Sequence, residues 1–171
     1  LLLVNLISVG LFGEAEFWFA LIKVVAIIAL IAIGIVLIAV GYHTDHGHAS
    51  LMNLVNYGGF FPKGAQGFFM AFQMVVFSFT GIELVGLTAS ETADPKTTIP
   101  DAINKLPIRV ILFYLGALLV IMAIYPWNTV SPSSSPFVTV FSNIGVNAAA
   151  DIVNFVVLTA AASACNSGLY S

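Results

Sequence analysis

Long apolar runs with almost no charge constrain the fold of this chain more than any other feature. Phe17 to Tyr42 contains a single charged residue, Lys23, and Gly64 to Ile82 contains none. A membrane-spanning helix needs about 20 consecutive, mostly apolar residues. Over the whole chain 60% of residues are hydrophobic and 8% are charged, whereas a soluble domain carries roughly 25% charged residues. The sequence therefore predicts an all-α integral membrane protein that lies in a lipid bilayer.

The apolar segments divide the chain into predicted membrane helices of one transmembrane domain. Complete or nearly complete spans are predicted over residues 17–42, 64–88, 108–127 and 147–171, and a partial one over residues 1–12. The intervening residues are predicted to form a polar turn at 13–16 and loops at 43–63, 90–107 and 128–146. Neither end of the chain resembles a natural terminus, so we interpret the chain as an internal piece of a larger protein.

Lysine and arginine predict the orientation of these helices. The loop over residues 89–109 carries Lys96, Lys105 and Arg109, more basic residues than either other loop. Cytoplasmic loops of membrane proteins are enriched in such residues, so this loop is predicted to be cytoplasmic. The net charge of −3 is small and gives no reason to expect a nucleic-acid partner.

Two other features of the sequence are not predicted to form a functional site. The lone Cys165 lies in an apolar run and can form no disulfide within the chain. His43, Asp45, His46 and His48 are loosely spaced, so we expect a solvated loop rather than a metal site. No motif of enzyme chemistry or cofactor binding is present.

One apolar span is interrupted in a way that suggests a binding site. Gly81 and Gly86 flank Glu83 near the end of the uncharged run. Glycine weakens a helix, and a carboxylate in hydrocarbon is costly unless it faces protein or water. We therefore predict a discontinuous helix near residues 78–83, whose exposed backbone groups can bind a substrate. The alternative is a helix that simply ends near Gly81, with Glu83 at the membrane surface.

Lys23 and the last span are further candidates. Lys23 lies about two turns inside its span, where it either snorkels to the interface or points into the helix bundle as a titratable amine. In the last span Ser163 and Ser167 repeat on one stripe, with Asn166 beside them. Such small residues usually serve close helix packing, although their hydroxyls can also coordinate a cation or an ammonium.

Four segments of the chain resemble the bacterial amino-acid permeases of the amino acid–polyamine–organocation superfamily. The segments are GEAEFWFALIKV (13–24), FSFTGIELVGLTASETADPKTTIPDAIN (77–104), FYLGALLVIMAIYPW (113–127) and NFVVLTAAASACNSGLYS (154–171). KLPIRVILFY, SPFVTVF and VNFVVLTAAAS are most similar to the D-serine/D-alanine/glycine permeases of that superfamily. The resemblance implies a twelve-helix LeuT-type inverted-repeat transporter, of which this chain would hold about helices 4 to 8.

The resemblance also implies roles for individual residues. The substrate's amino group would bind at the unwound backbone of Phe77, Ser78, Phe79, Thr80 and Gly81, with Phe77 as an aromatic gate. Glu83 matches the glutamate of that helix. Lys23 matches a lysine that takes the place of a sodium ion in some proton-coupled relatives, and Ser163, Asn166 and Ser167 match the facing side of that place. The family's glycine-rich first helix, which holds the substrate carboxylate, is absent, so this piece should not transport by itself.

Together these features predict a multi-pass permease of the bacterial inner or plasma membrane. The expected activity is proton-coupled uptake of small neutral amino acids, namely glycine, alanine and serine, with the D-forms as further candidates. An aromatic or other larger amino acid is the alternative substrate. A non-transporting membrane scaffold is the competing class, and it accounts poorly for Glu83, Lys23 and the break at Gly81. No cofactor and no metal are expected.

Overall fold

The computed structural model describes residues 9–44, 47–82, 86, 94–131, 135–143 and 147–170. In chain order the elements are α1 Val9–Val40, β1 His43–Thr44, β2 Gly47–His48, a 3₁₀ turn Leu51–Leu54, α2 Gly64–Ser78, α3 Pro95–Arg109, a π-helical segment Val110–Gly116, α4 Ala117–Ile124, a 3₁₀ turn Trp127–Thr129, α5 Pro136–Asn143 and α6 Asn147–Tyr170. Helices dominate the described part, as predicted, and loops and one antiparallel hairpin, in which His43 pairs with His48, connect them.

Helix α1 is longer than the sequence pattern predicted. It runs without interruption from Val9 to Val40, so the polar turn predicted at 13–16 is wrong. A helical backbone needs no turn there, because the carboxylates of Glu14 and Glu16 can project from its surface. The helix ends at Gly41, which has a φ of 63°; its N–H bonds the Ile38 carbonyl and the next N–H bonds the Leu37 carbonyl. These two bonds form a Schellman cap, which favours glycine at this position.

The predicted loop over residues 90–107 is also partly wrong, because α3 already begins at Pro95. A proline fits the first helical position, where no intrahelical donor is required. Pro100 and Pro107 lie inside the helix. A proline removes a helical hydrogen bond, and π-helical turns are one way in which a helix adjusts its bonding. Here seven π-helical residues follow Arg109 and lead into α4.

The remaining predicted boundaries concern α2, α5 and α6. Helix α2 ends at Ser78, inside the predicted span of residues 64–88, and residues 83–85 and 87–93 lie outside the described residues. Helix α5 lies in the stretch 128–146 that was predicted to be a loop. The helix predicted over 147–171 is present from Asn147 to Tyr170. Residues 1–8 of the predicted partial span lie outside the described residues.

The core lies where α1, α4, α5 and α6 meet. Its buried residues include Leu30, Ile124, Phe141 and Val153. The loop after the hairpin closes one end of this core, since Asn53 Nδ2 donates to the carbonyl of Ala123 at 2.8 Å. Two described helical stretches are long and apolar enough to cross a membrane, Phe12–Val40 and Pro95–Ile124.

Helix α2 is attached to this core mainly at its two ends. None of its residues is buried. Near its beginning, Lys63 Nζ lies 5.5 Å from the centre of the Trp127 ring, and Trp127 Nε1 donates to the Tyr57 carbonyl. At its other end, Tyr114 of the π-helical segment donates to the Ser78 carbonyl. The end of α2 is therefore held next to the π-helical segment.

Candidate functional site

A cavity of about 910 Å³ opens between the end of α2 and three other helical stretches. It is lined by residues of α1, of the α2 end, of α3 with the π-helical segment, and of α6. These residues are Glu16, Lys23, Phe77, Ser78, Thr80, Gly81, Ile82, Leu106, Arg109, Tyr114, Ser163, Ala164, Ser167 and Gly168. Seven of the predicted site residues therefore share one cavity: Lys23, Phe77, Ser78, Thr80, Gly81, Ser163 and Ser167.

The backbone of α2 leaves the α-helical path where the break in the second span was predicted. A helix that simply ends near Gly81 would have the same backbone, and residues 83–85 lie outside the described residues. The helix ends at Ser78, and the N–H groups of Phe79 and Thr80 bond carbonyls three residues back instead of four. Gly81 has a φ of 100°, a left-handed conformation that side chains with a Cβ rarely adopt. The glycine therefore allows the chain to leave the helical path at the cavity. Glu83 lies outside the described residues.

Tyr114 holds the broken end of α2 in position. Its hydroxyl donates to the Ser78 carbonyl at 3.0 Å. Its ring stacks on Phe79, with the ring centres 5.5 Å apart and the planes 8° from parallel. Phe79 thus faces Tyr114. It is not one of the described residues that line the cavity. Phe77 does line the cavity and is 76% exposed.

A chain of hydrogen bonds joins α1 to α6 on the opposite side of the cavity. Lys23 Nζ donates to Ser163 Oγ at 2.8 Å, and Ser163 Oγ donates to Glu16 Oε2 at 2.7 Å. Asn166 Nδ2 donates to the other carboxylate oxygen, Oε1, at 2.9 Å. Ser163 is 2% exposed and Asn166 is fully buried. The four side chains form one network, and Ser167 lines the cavity beside it.

Lys23 also borders a second, apolar cavity of about 220 Å³ between α1, α5 and α6. Leu30, Phe141 and Val153 are among the residues that line it. A lysine stem is aliphatic, so it can contact this apolar cavity while the amine binds Ser163. The Lys23 amine thus reaches a side chain of another helix, as expected for an amine that points into the helix bundle.

Glu16, Tyr114 and Arg109 line the cavity although sequence reasoning did not single them out as site residues. Glu16 was assigned to a turn because it follows Gly13 and Glu14. Its position seven residues before Lys23 was the available signal, because residues two helical turns apart share a face. Tyr114 gave a weaker signal as a phenol within an apolar span. Arg109 was counted only as a basic loop residue.

The histidine loop is described only in part. His43 and His48 face each other across the hairpin, with their Nδ1 atoms 2.7 Å apart. Asp45 and His46 lie outside the described residues. Within the residues that the structure describes, no group of three or more potential metal ligands occurs.

Comparisons with known proteins agree with these observations. The family model "Amino acid permease" matches residues 1–171. Over the full length of this chain, it is 63% identical to the amino-acid permease AapA of Bacillus subtilis (strain 168). It is 55% identical to the D-serine/D-alanine/glycine transporter of Escherichia coli (strain K12) and 53% identical to the DL-alanine permease SerP2 of Lactococcus lactis subsp. cremoris (strain MG1363), in each case over its full length.

The chain spans 37% of the length of each of these three relatives. No solved structure matches it. The family model covers every residue, and the apolar helices fit the integral membrane character of the relatives. The chain belongs to the amino acid permease family.

Proposed function

We propose that the protein containing this chain is a proton-coupled amino-acid permease that takes up small neutral amino acids. The observation that carries this proposal is the cavity of about 910 Å³, which brings the broken end of α2 together with Lys23 and Ser163. One wall presents the backbone of an interrupted helix, and another presents a cation hydrogen-bonded across two helices. A substrate site and a coupling site would therefore face a common space.

In this proposal the substrate's ammonium group binds the backbone near Phe77, Ser78, Thr80 and Gly81. An interrupted membrane helix exposes carbonyl groups, and such carbonyls coordinate cations in many transporters. Phe77 is largely exposed beside this backbone, which suits a gate that closes over a bound substrate. Phe79 takes a supporting role through its stacking on Tyr114. Glu83 is retained as a candidate on its sequence position alone.

The coupling proton is assigned to Lys23. Protonated Lys23 links α1 to Ser163 of α6, and its deprotonation would weaken this charged contact. A transporter that alternates between two arrangements can use such a change to shift their populations. Asn166 and Ser167 complete the α6 side of this proposed coupling site.

The wider architecture is also part of the proposal. The family resemblance favours a twelve-helix LeuT-type inverted repeat in a bacterial inner or plasma membrane, with residues 89–109 on the cytoplasmic side. The first helix of that fold would supply the other half of the substrate site. Small neutral substrates are favoured by the names of the relatives, which transport D-serine, D-alanine and glycine or DL-alanine.

A panel of labelled amino acids offered to the full-length permease tests the proposal. Proteoliposomes with an inward proton gradient should accumulate glycine, alanine or serine, and a protonophore should abolish the accumulation. Accumulation of aromatic amino acids instead would favour the alternative substrate class. If no amino acid enters above the level of protein-free liposomes, the protein is a scaffold and the proposal is wrong.

A further inference from the structure

The hydrogen bonds between α1 and α6 have a direction. The Ser163 hydroxyl accepts from Lys23 Nζ on one side and donates to Glu16 Oε2 on the other, at 2.8 and 2.7 Å. A hydroxyl can accept and donate at once, which is what a proton relay requires. Glu16 and Lys23 lie two turns apart on one face of α1, so a single side chain from α6 can reach both.

We infer that Ser163 relays a proton between Lys23 and Glu16, and that Glu16 is the terminal acceptor. This inference rests on the proposed function, because it explains how the proton leaves Lys23. In the step, one N–H bond of the ammonium breaks as Ser163 Oγ gains that proton. The former hydroxyl proton of Ser163 passes to Glu16 Oε2. Lys23 ends as a neutral amine and Glu16 as a carboxylic acid, so the total charge of the network is unchanged.

Asn166 positions the acceptor. Its amide donates to Glu16 Oε1, which leaves Oε2 directed at Ser163. The carboxylate is thus hydrogen-bonded at both oxygens by two buried residues of α6. Such a charge-assisted bond is roughly twice as strong as a neutral one. Transfer of the proton removes both charges, and it would therefore loosen the contact between α1 and α6.

The other charged and titratable groups near Glu16 are few among the described residues. Glu14 lies on the same helix, and its carboxylate accepts from Trp18 Nε1 at 2.9 Å. Arg109 and Tyr114 line the cavity from α3 and the π-helical segment. Helix α6 carries one acidic side chain, the exposed Asp151 three turns before Ser163, and an exposed free thiol, Cys165. Lys23 is therefore the cation that the hydrogen bonds connect to Glu16.

The test separates proton coupling from substrate exchange in the full-length permease. Purified protein in liposomes is given labelled alanine either for exchange against internal alanine or for net accumulation under a proton gradient. A gradient of about one pH unit supports an accumulation of about tenfold for one proton per substrate. Glu16→Gln should exchange alanine at close to the wild-type rate but should accumulate it by less than about twofold. Asp151→Asn, which neutralises a carboxylate on α6 outside the network, should keep the full tenfold value.

Changes at Ser163 test the relay itself. Ser163→Ala should behave like Glu16→Gln, and Ser163→Thr, which keeps a hydroxyl, should restore accumulation and its dependence on external pH. Tenfold accumulation by Glu16→Gln or Ser163→Ala would overturn the relay alone. Loss of exchange in both variants, with normal amounts in the liposomes, would also overturn it and would assign the network to structure. Wild-type protein that exchanges no alanine would overturn the proposed function and the relay with it.

Discussion

Replacing Tyr114 by phenylalanine should weaken substrate binding by a predictable amount. The change removes the hydrogen bond to the Ser78 carbonyl and leaves the stacking on Phe79 in place. A hydrogen bond of this kind contributes about 0.5–1.5 kcal/mol. Tyr114 is 42% exposed, so the lower half of that range applies. A loss of about 0.5–1 kcal/mol corresponds to a KM that is about two to five times higher.

Replacing Tyr114 by alanine should weaken substrate binding further. It removes the aromatic pair as well, which adds about 0.5–1.5 kcal/mol. The combined loss of about 1–2.5 kcal/mol raises the KM by roughly five- to seventyfold. Initial rates of alanine uptake by the full-length permease over a range of concentrations measure both variants. Tyr57→Phe, in the loop before α2, is the control and should leave the KM unchanged.

The relative KM values of Tyr114→Phe and Tyr114→Ala test whether Tyr114 positions the end of α2. If Tyr114 positions the end of α2, the Tyr114→Ala variant must have a higher KM than the Tyr114→Phe variant. A KM within experimental error of wild type for both variants would show that neither the hydroxyl nor the ring positions the backbone near Ser78. A lower KM for Tyr114→Phe would mean that the hydroxyl competes with the substrate for this carbonyl.

Three further outcomes are expected in the full-length permease. Phe77→Ala should raise the KM and admit bulkier amino acids, since it removes a large exposed ring from the cavity wall; an unchanged selectivity in competition assays would assign Phe77 to packing. Lys23→Gln should lose proton-driven accumulation while exchange persists, and normal accumulation by this variant would exclude Lys23 as the coupling residue. Gly34→Ala should lower stability by about 1–3 kcal/mol, because its Cβ would overlap the Val120 side chain. Gly13→Ala in the same helix meets nothing within 4 Å and should unfold in detergent at or slightly above the wild-type temperature, because alanine favours a helix over glycine. Equal melting of the two variants would therefore contradict the packing.

The sequence predicted the helices well where their length and apolarity left few alternatives. An uncharged run of membrane-spanning length has no other way to satisfy its backbone in hydrocarbon. The departure from the α-helix near Gly81 was also predictable, because glycine readily adopts the φ of 100° found there. The ends of helices that lie in polar sequence were not predictable in this way. Residues 13–16 and 95–107 contain glycine, proline and charge, yet they are helical and continue into long apolar helical stretches.

By itself the sequence determined that the chain is a membrane protein, that glycine and a carboxylate interrupt one apolar run, and that Lys23 and Ser163 are candidates for a polar site. Only the tertiary structure decided which of these residues meet. The pairing of Glu16 with Ser163 and Asn166 spans about 150 positions of the chain, as the separations of 147 and 150 residues record. A periodic pattern describes the faces of one helix, whereas contacts between distant helices depend on how those faces pack. For this reason the hydrogen-bond network of Glu16, Lys23, Ser163 and Asn166, and the contact of Tyr114 with Ser78, became visible only in the folded chain.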